Sequence, residues 1–347
     1  MDAQIATWLA QDGLTNGAIY CLLGLATVLV FAVTRVIFVP QGEFVTFGAL
    51  TLALLRADTV PGSAWLVLVT AAAVAVVEII DAIRHRDGRR LPGRLARALA
   101  LPLAASALVV VLAPYELPLA LDILLTLALI TPLGPLLYRL VYQPLVDASV
   151  LVLLIASVAL HFALTGLALT FFGPEGFRTP AFSESMFEMG ILMVSGQSLW
   201  IFLITVLLIV SMAWWFASTL YGKALRATAF NRVGARLIGF SPVSAGLITF
   251  AAAAFIGTLS GVLIGPIVTI YYDSGFIIGL KGFVAAIIGG LASYPLTALG
   301  AVLVGLLESF ASFWASSYKE VIVFTAIIPV LIMLSLKSGH HEQEEEQ

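Results

Sequence analysis

Two stretches, Ile201-Phe-Leu-Ile-Thr-Val-Leu-Leu-Ile-Val210 and Ile248-Thr-Phe-Ala-Ala-Ala-Ala-Phe-Ile256, decide the fold. Each is a solid apolar run inside a longer uncharged segment. A strand crossing a bilayer reads as about 10 residues that alternate apolar and polar. These runs do not alternate. A helix needs about 20 mostly apolar residues to cross the hydrocarbon core, and it satisfies its own backbone on the way. The runs therefore predict membrane-spanning helices.

The rest of the chain agrees. Of 347 residues 61% are hydrophobic and 11% are charged, and the mean hydropathy is +1.07. A soluble domain carries about 25% charged residues, so this surface cannot face water throughout. The expected fold class is an all-α polytopic membrane protein of nine to eleven transmembrane or re-entrant helices. One transmembrane domain covers 1–339, followed by an acidic tail, 340–347, expected to be disordered. Candidate spans fall near 14–34, 40–57, 63–83, 98–113, 117–138, 150–172, 199–219, 243–270, 281–294, 296–314 and 321–336. The segments 40–57 and 281–294 are short and interrupted by glycine, which marks them as broken or re-entrant.

Charge sets the orientation. Cytoplasmic loops collect Lys and Arg. With the N-terminus outside, thirteen basic residues fall on the cytoplasmic side: Arg35, Arg84, Arg86, Arg89, Arg90, Arg94, Arg97, Arg139, Lys223, Arg226, Arg232, Arg236 and Lys337. Arg56, Arg178, Lys281 and Lys319 fall opposite. The basic loop 84–97 is read as an orientation anchor, with anionic lipid or nucleic acid as the functional alternative. Met1–Asp12 contains no Lys or Arg, so the first apolar stretch is expected to be a retained span rather than a cleaved leader. Cys21 is the single cysteine, which excludes an intrachain disulfide.

Several chemistries lack their residues. There is no P-loop sequence for nucleotide, no His-Glu-x-x-His and no Cys/His cluster for a metal. No catalytic residue, cofactor or metal ligand is assigned. His340 and His341 are adjacent tail residues and are not read as a site. His161, alone in an apolar span, is read as a hydrogen-bonded core residue.

Three stretches carry functional signals. In Arg35-Val-Ile-Phe-Val-Pro40-Gln41-Gly42-Glu43-Phe44, Pro40 and Gly42 are expected to break the helix and leave Glu43 at the start of the next one. Irregular backbone at membrane depth needs protein or a water-lined cavity beside it. Gln41, Gly42 and Glu43 therefore line a path, or Glu43 merely caps a helix at the interface and gains from its dipole. The second stretch, Gly275 to Pro295, ends in Gly289-Gly290 and Pro295. Two interrupted segments, one in each half, are the pattern of inverted repeats around a central path. Glu308 lies in the middle of a span, where a carboxylate must face protein or water. It is read as a path residue or as a neutral interhelical contact. Gly257, Gly261 and Gly265 recur every four residues and predict close helix packing.

The third stretch, 221–242, is Tyr-Gly-Lys223-Ala-Leu-Arg226-Ala-Thr-Ala-Phe-Asn231-Arg232-Val-Gly-Ala-Arg-Leu237-Ile-Gly239-Phe-Ser-Pro242. As one helix it would turn Leu225, Phe230, Val233, Leu237 and Ile238 toward apolar contacts and keep the basic residues in water. Gly239 and Pro242 would stop it. It either lies on the membrane or fits a groove on a soluble partner.

Together these stretches resemble the permease subunits of branched-chain amino acid ABC importers, a group that includes urea permeases. The resemblance rests on Gly13-Leu-Thr-Asn-Gly-Ala-Ile-Tyr20 through Gly42-Glu43-Phe44, and on Leu137-Tyr-Arg-Leu-Val-Tyr-Gln-Pro144. It continues through Gly222-Lys-Ala-Leu-Arg-Ala-Thr-Ala229 with Leu237-Ile-Gly-Phe240, and through Lys281-Gly-Phe-Val-Ala-Ala-Ile-Ile-Gly-Gly290. Gly305-Leu-Leu-Glu308 and Ser317-Tyr-Lys-Glu320 complete it.

It implies an inner-membrane permease that pairs with a second homologous permease. Two ATP-binding subunits would dock below, an extracytoplasmic solute-binding protein above, and lipid around. Lys223, Arg226, Asn231, Arg232, Leu237 and Gly239 would then belong to a coupling helix in the ATPase groove. The loop 173–198 would face the binding protein, and Gln41, Gly42, Glu43, Gly289, Gly290 and Glu308 would belong to the solute path. No nucleic-acid partner is implied. Many relatives carry Asn and His in the turn before Gly-Glu, where this chain has Phe38 and Gln41, so the solute is a branched-chain or another amino acid or a related compound. The Arg-rich region 79–119 resembles an insertion, read as an added helix pair. The alternative to an importer subunit is a stand-alone secondary transporter, which would need an ion site built from such residues as Glu43, Asp122 and Glu308.

Overall fold

The computed structural model describes residues 3–85, 91–189, 192–237 and 239–332. The apolar runs form helices throughout. The chain opens with α1 (Ala3–Thr34), a 3-10 turn at Val39–Gly42 and α2 (Glu43–Arg56). Next come α3 (Ser63–His85), α4 (Leu91–Leu112), α5 (Leu119–Ile130) and α6 (Leu133–Leu137), which runs into a π turn at Tyr138–Tyr142. After α7 (Val150–Phe172), a hairpin of β1 (Met186–Met189) and β2 (Leu192–Ser195) leads into α8 (Gly196–Ser218). The second half holds α9 (Leu220–Phe230), α10 (Arg232–Leu237), α11 (Pro242–Ile264), α12 (Ser274–Ile288), α13 (Tyr294–Trp314) and α14 (Lys319–Thr325).

Among the described residues eight helical stretches are long and apolar enough to cross a membrane, and α12 is a shorter apolar helix. The protein is an all-α polytopic membrane protein, with one short antiparallel hairpin as its described sheet.

Burial ranks the helices. In α1 89% of the apolar window is buried, against 17% in α8 and 28% in α7 and α4, so α1 is the central post and the others face lipid. Around α1 pack α11, α12 and α13. The α1–α13 pair is antiparallel and very close, because a side chain at Gly305 would run into the backbone of Gly13 and Gly17. Gly257 and Gly261 of α11 lie against Phe44 and Val45 of α2, which is the close packing their spacing predicts, whereas Gly265 meets Thr179 just beyond the helix.

The antiparallel order gives the bundle two ends. One carries the hairpin, tied to α1 by Gln11 Nε2 donating to Met193 O at 3.1 Å, together with the C-termini of α11 and α13. The other carries α9, α10, the C-terminus of α3, the N-terminus of α4 and the α12–α13 turn.

Several expected boundaries change. The first span begins at Ala3 rather than 14, and α11 ends at Ile264 rather than 270. The basic loop 84–97 is mostly helix: Arg84 closes α3, while Arg94 and Arg97 lie in α4. Arg94 reaches Asp81 at 3.1 Å across that helix pair, and Arg139 reaches Glu78 at 3.0 Å. The expected span 281–294 is replaced by α12, which begins at Ser274 and places Lys281 inside a helix rather than in an outer loop. That removes one residue from the outer side of the charge count. Arg86, Arg89, Arg90, Lys337 and the tail 340–347 lie outside the described residues.

The single coupling helix expected at 221–242 is two helices. Asn231 adopts an extended backbone (φ −148°, ψ 102°), and its Oδ1 accepts from Gly234 N at 2.9 Å, so it ends α9 and caps α10.

Candidate functional site

The first site grows from the break after α1. Arg35 takes φ +60°, an unusual conformation for a residue with a side chain, and turns the chain out of the helix. The break therefore lies at Arg35–Phe38 rather than at Pro40 and Gly42. Pro40 instead sits at the start of the 3-10 turn, where its missing N–H costs nothing, and Gly42 continues helically into α2. The turn adds about 8 Å to the roughly 21 Å of α2, so the two together match the hydrocarbon thickness that neither covers alone.

What Gly42 provides is proximity. A Cβ there would collide with the carbonyl of Gly275, and Gly279 of α12 lies just beyond. The two interrupted segments seen in the sequence thus pack directly on each other.

Within this elbow Glu43 is fully buried, and its Oε1 lies 2.8 Å from His161 Nδ1 of α7. Phe276 stacks on the imidazole, with ring centroids 4.5 Å apart. Gln41 Nε2 donates to Ala253 O at 2.9 Å. Three buried oxygens at the elbow, Gln41 Oε1, Glu43 Oε2 and Thr46 Oγ1, have no hydrogen-bond partner among the described residues. Buried polar atoms are normally paired, so three orphans in six residues mark a place built for more than packing. His161 is the hydrogen-bonded core residue expected from the sequence, but nothing in its own segment pointed to Glu43 as the partner.

The second site is a buried ionic cluster nearer the hairpin end. Lys281 Nζ of α12 donates to Glu308 Oε1 of α13 at 2.5 Å and to Glu320 Oε1 of α14 at 3.1 Å. Tyr20 of α1 donates its hydroxyl to Glu308 Oε2 at 2.5 Å. Glu308 is therefore an interhelical contact, shared by Lys281 of α12 and Tyr20 of α1. A cavity of about 400 Å³ opens beside the cluster. The sequence reading missed Lys281 and Tyr20 as site residues. The signal lies in Lys281-Gly-Phe, where a lone lysine beside glycines resembles a loop charge.

Gly289 and Gly290 lie elsewhere. Gly289 ends α12 against Thr297, and Gly290 takes φ +66° in the turn to α13. The six expected path residues therefore occupy three places: the elbow, the cluster and the α12–α13 turn.

The third feature is the α9–α10 elbow. Leu225 is buried with Leu29 and Val33 of α1 and Ala245 of α11, which pins α9 to the bundle. Arg226 folds back onto the carbonyl of Phe216. Phe230 and Leu237, expected to make apolar contacts, are instead 94% and 84% exposed, and Lys223 and Arg236 are exposed beside them. Phe230 lies before the break at Asn231 and Leu237 after it, so the two belong to different helices. Gly239 has φ +89° and open space around it. The side chains of Arg232 and Val233, and Ile238 as a whole, lie outside the described residues.

A lipid-embedded helical bundle with unpaired polar groups at a broken helix and an exposed elbow at one end is the architecture of a membrane transport component. Residues 95–335 match the family described as branched-chain amino acid transport system / permease component, and the chain belongs to it. The chain is 27% identical over 201 residues to the high-affinity branched-chain amino acid transport system permease protein BraD of Pseudomonas aeruginosa. It is 25% identical over 203 residues to the corresponding permease protein LivH of Escherichia coli, and equally to LivH of Salmonella typhimurium. Each alignment covers 56% of this chain and 66% of the relative, so the chain spans just under two thirds of the curated relatives it matches. No solved structure matches the chain.

Proposed function

We propose that this protein is a permease subunit of an ATP-driven importer of a small solute, a branched-chain or other amino acid or related compound. It would sit in the bacterial inner membrane with its N-terminus outside and its C-terminus in the cytoplasm. A second homologous permease completes the solute path, two ATP-binding subunits dock at the cytoplasmic end, and an extracytoplasmic binding protein delivers solute at the hairpin end. ATP chemistry belongs to the partner subunits.

The observation that carries this reading is the α9–α10 elbow. Leu225 clips it to the central helix α1, and it presents Phe230 and Leu237 to a partner. Exposed aromatic and aliphatic anchors rimmed by basic residues suit a groove on a soluble subunit. Lys223, Arg226, Asn231, Arg232, Leu237 and Gly239 form this coupling surface. Gln41, Gly42 and Glu43, behind His161 and Phe276, form the wall of the path, and Gly289, Gly290 and Glu308 serve it from the α12–α13 side. Motion of the elbow would reach the path through α1, which touches both α9 and the 3-10 turn.

The test is a tagged pull-down of the chain from its native membrane with mass identification of its companions. Two P-loop ATPase subunits and a second polytopic permease support the importer. The chain recovered alone, and still moving solute after reconstitution, assigns it to the secondary transporters.

A further inference from the structure

Orientation in a membrane requires only that arginines lie on one side of it, in any arrangement. Here three of them converge. Arg94 and Arg97, in the first two turns of α4, line a cavity of about 450 Å³ together with Arg139 of the π turn. A second cavity, of about 460 Å³, shares Glu78, Arg94, Arg139 and Gln143 with the first and adds Asp81. Asp81 lies 3.1 Å from Arg94 and Glu78 lies 3.0 Å from Arg139, so each carboxylate fixes one guanidinium group. Arg97 has no carboxylate partner among the described residues. Its Nε donates to Gly93 O at 3.1 Å, which leaves both terminal nitrogens for a ligand. Three guanidinium groups against two carboxylates leave one positive charge in this recess.

That excess matches the single negative charge of a phosphodiester, whose oxygens a guanidinium group grips with paired N–H donors. Apolar side chains share the lining: Val74 and Val77 of α3, Leu140, and Val243 and Leu247 of α11. A free anion has no use for them, whereas a lipid carries glycerol and methylenes beside its phosphate. The position fits as well. α3 and α4 bury only 33% and 28% of their apolar windows, and Val77, Ile80 and Leu101 are exposed along them. The charged lining, where α3 ends and α4 begins, thus stands where headgroups meet hydrocarbon.

We propose that this arginine-lined recess binds the phosphodiester headgroup of an anionic membrane lipid. The inference rests on the membrane fold alone and is independent of the importer reading.

The test is native mass spectrometry of the full chain in detergent, titrated with phosphatidylglycerol or with zwitterionic phosphatidylcholine. The first phosphatidylglycerol is expected to bind about tenfold more tightly than the first phosphatidylcholine, the scale of one charge-assisted hydrogen bond. Arg97→Gln is expected to remove that preference, and because Arg97 is exposed the variant should fold as the parent does. Lys223→Gln removes an exposed charge from the same end of the bundle, outside the recess, and is expected to change the affinity less than twofold.

Equal affinity of the parent for the two lipids overturns the proposal. So do equal losses in the two variants, because the attraction would then be spread over the whole basic end. sn-Glycerol 3-phosphate, added at the concentration of the lipid, separates a lipid from a soluble phosphate. It is expected to leave phosphatidylglycerol bound, and displacement would overturn the lipid assignment.

Discussion

Lys281 Nζ lies 2.5 Å from Glu308 Oε1, and this contact fastens α12 to α13 while Tyr20 anchors the same carboxylate to α1. Removing one partner of a buried pair leaves an uncompensated charge, at a cost of about 3–5 kcal/mol, whereas removing both together is far cheaper. Lys281→Met is therefore expected to lower the unfolding midpoint in detergent sharply. The double variant Lys281→Met/Glu308→Gln is expected to recover most of that loss. A double variant no more stable than the single one would show that the pair does not hold these helices together.

The contact of Gly42 with Gly275 leaves no room for a methyl group, since the added Cβ would strike backbone rather than a movable side chain. Overpacking of this kind costs about 1–3 kcal/mol. Gly42→Ala is expected to destabilise the chain by at least that much. Gly166→Ala is the control, because nothing lies within 4 Å of the added atom at that helical position, and it should be neutral or mildly stabilising. Equal midpoints for the two variants would contradict the close approach of the 3-10 turn to α12.

The class of fold was legible because lipid imposes one rule on every crossing, and solid runs such as 201–210 obey it without ambiguity. Helix ends were less legible where no charge marks the interface. Gln4 to Asp12 continues α1 as a helix ahead of the expected start at 14, and it is tied to the hairpin by Gln11 and to α13 by Ser309, whose hydroxyl donates to Leu9 O. Lys281 misled the reading for the opposite reason. A lone lysine beside glycines resembles a loop charge until its two carboxylate partners, 27 and 39 residues away, are seen to meet it. Glu43 and Gln41 were legible as unusual, since polar groups at a broken helix are expensive in any context. Their partners, His161 and Ala253, come from distant helices and leave no local trace. The bend at Asn231 was hidden by an apolar pattern compatible with one continuous helix.

Glu43 and His161 make a second test of buried polar pairing. His161→Leu leaves the Glu43 carboxylate buried without its ring partner, and a loss of about 3–5 kcal/mol is expected. His161→Gln keeps an N–H donor on α7 and should restore part of the midpoint. Glu43→Gln in the His161 background should be milder than His161→Leu, because a neutral amide tolerates burial better than an orphaned carboxylate. A reversed order, with Glu43→Gln the more damaging, would show that the histidine is not what makes the buried carboxylate tolerable.

The α9–α10 elbow separates folding from coupling. Phe230 and Leu237 touch little of their own chain, so Phe230→Ala and Leu237→Ala should leave the unfolding midpoint within about 0.5 kcal/mol of the parent. As anchors in a partner's groove they should each cost about 2 kcal/mol of ATPase association, roughly thirtyfold in affinity. Gly239 works differently. At φ +89° a β-branched residue is strained whatever the space around it, so Gly239→Val should reshape the link from α10 to α11 without emptying the core. Reversing charge with Arg226→Glu and Arg232→Glu should act on the same surface. In proteoliposomes holding the complete importer, these variants are expected to uncouple ATP hydrolysis from uptake while the bundle stays folded. Solute-stimulated hydrolysis and uptake that both match the parent would place the coupling surface away from the α9–α10 elbow.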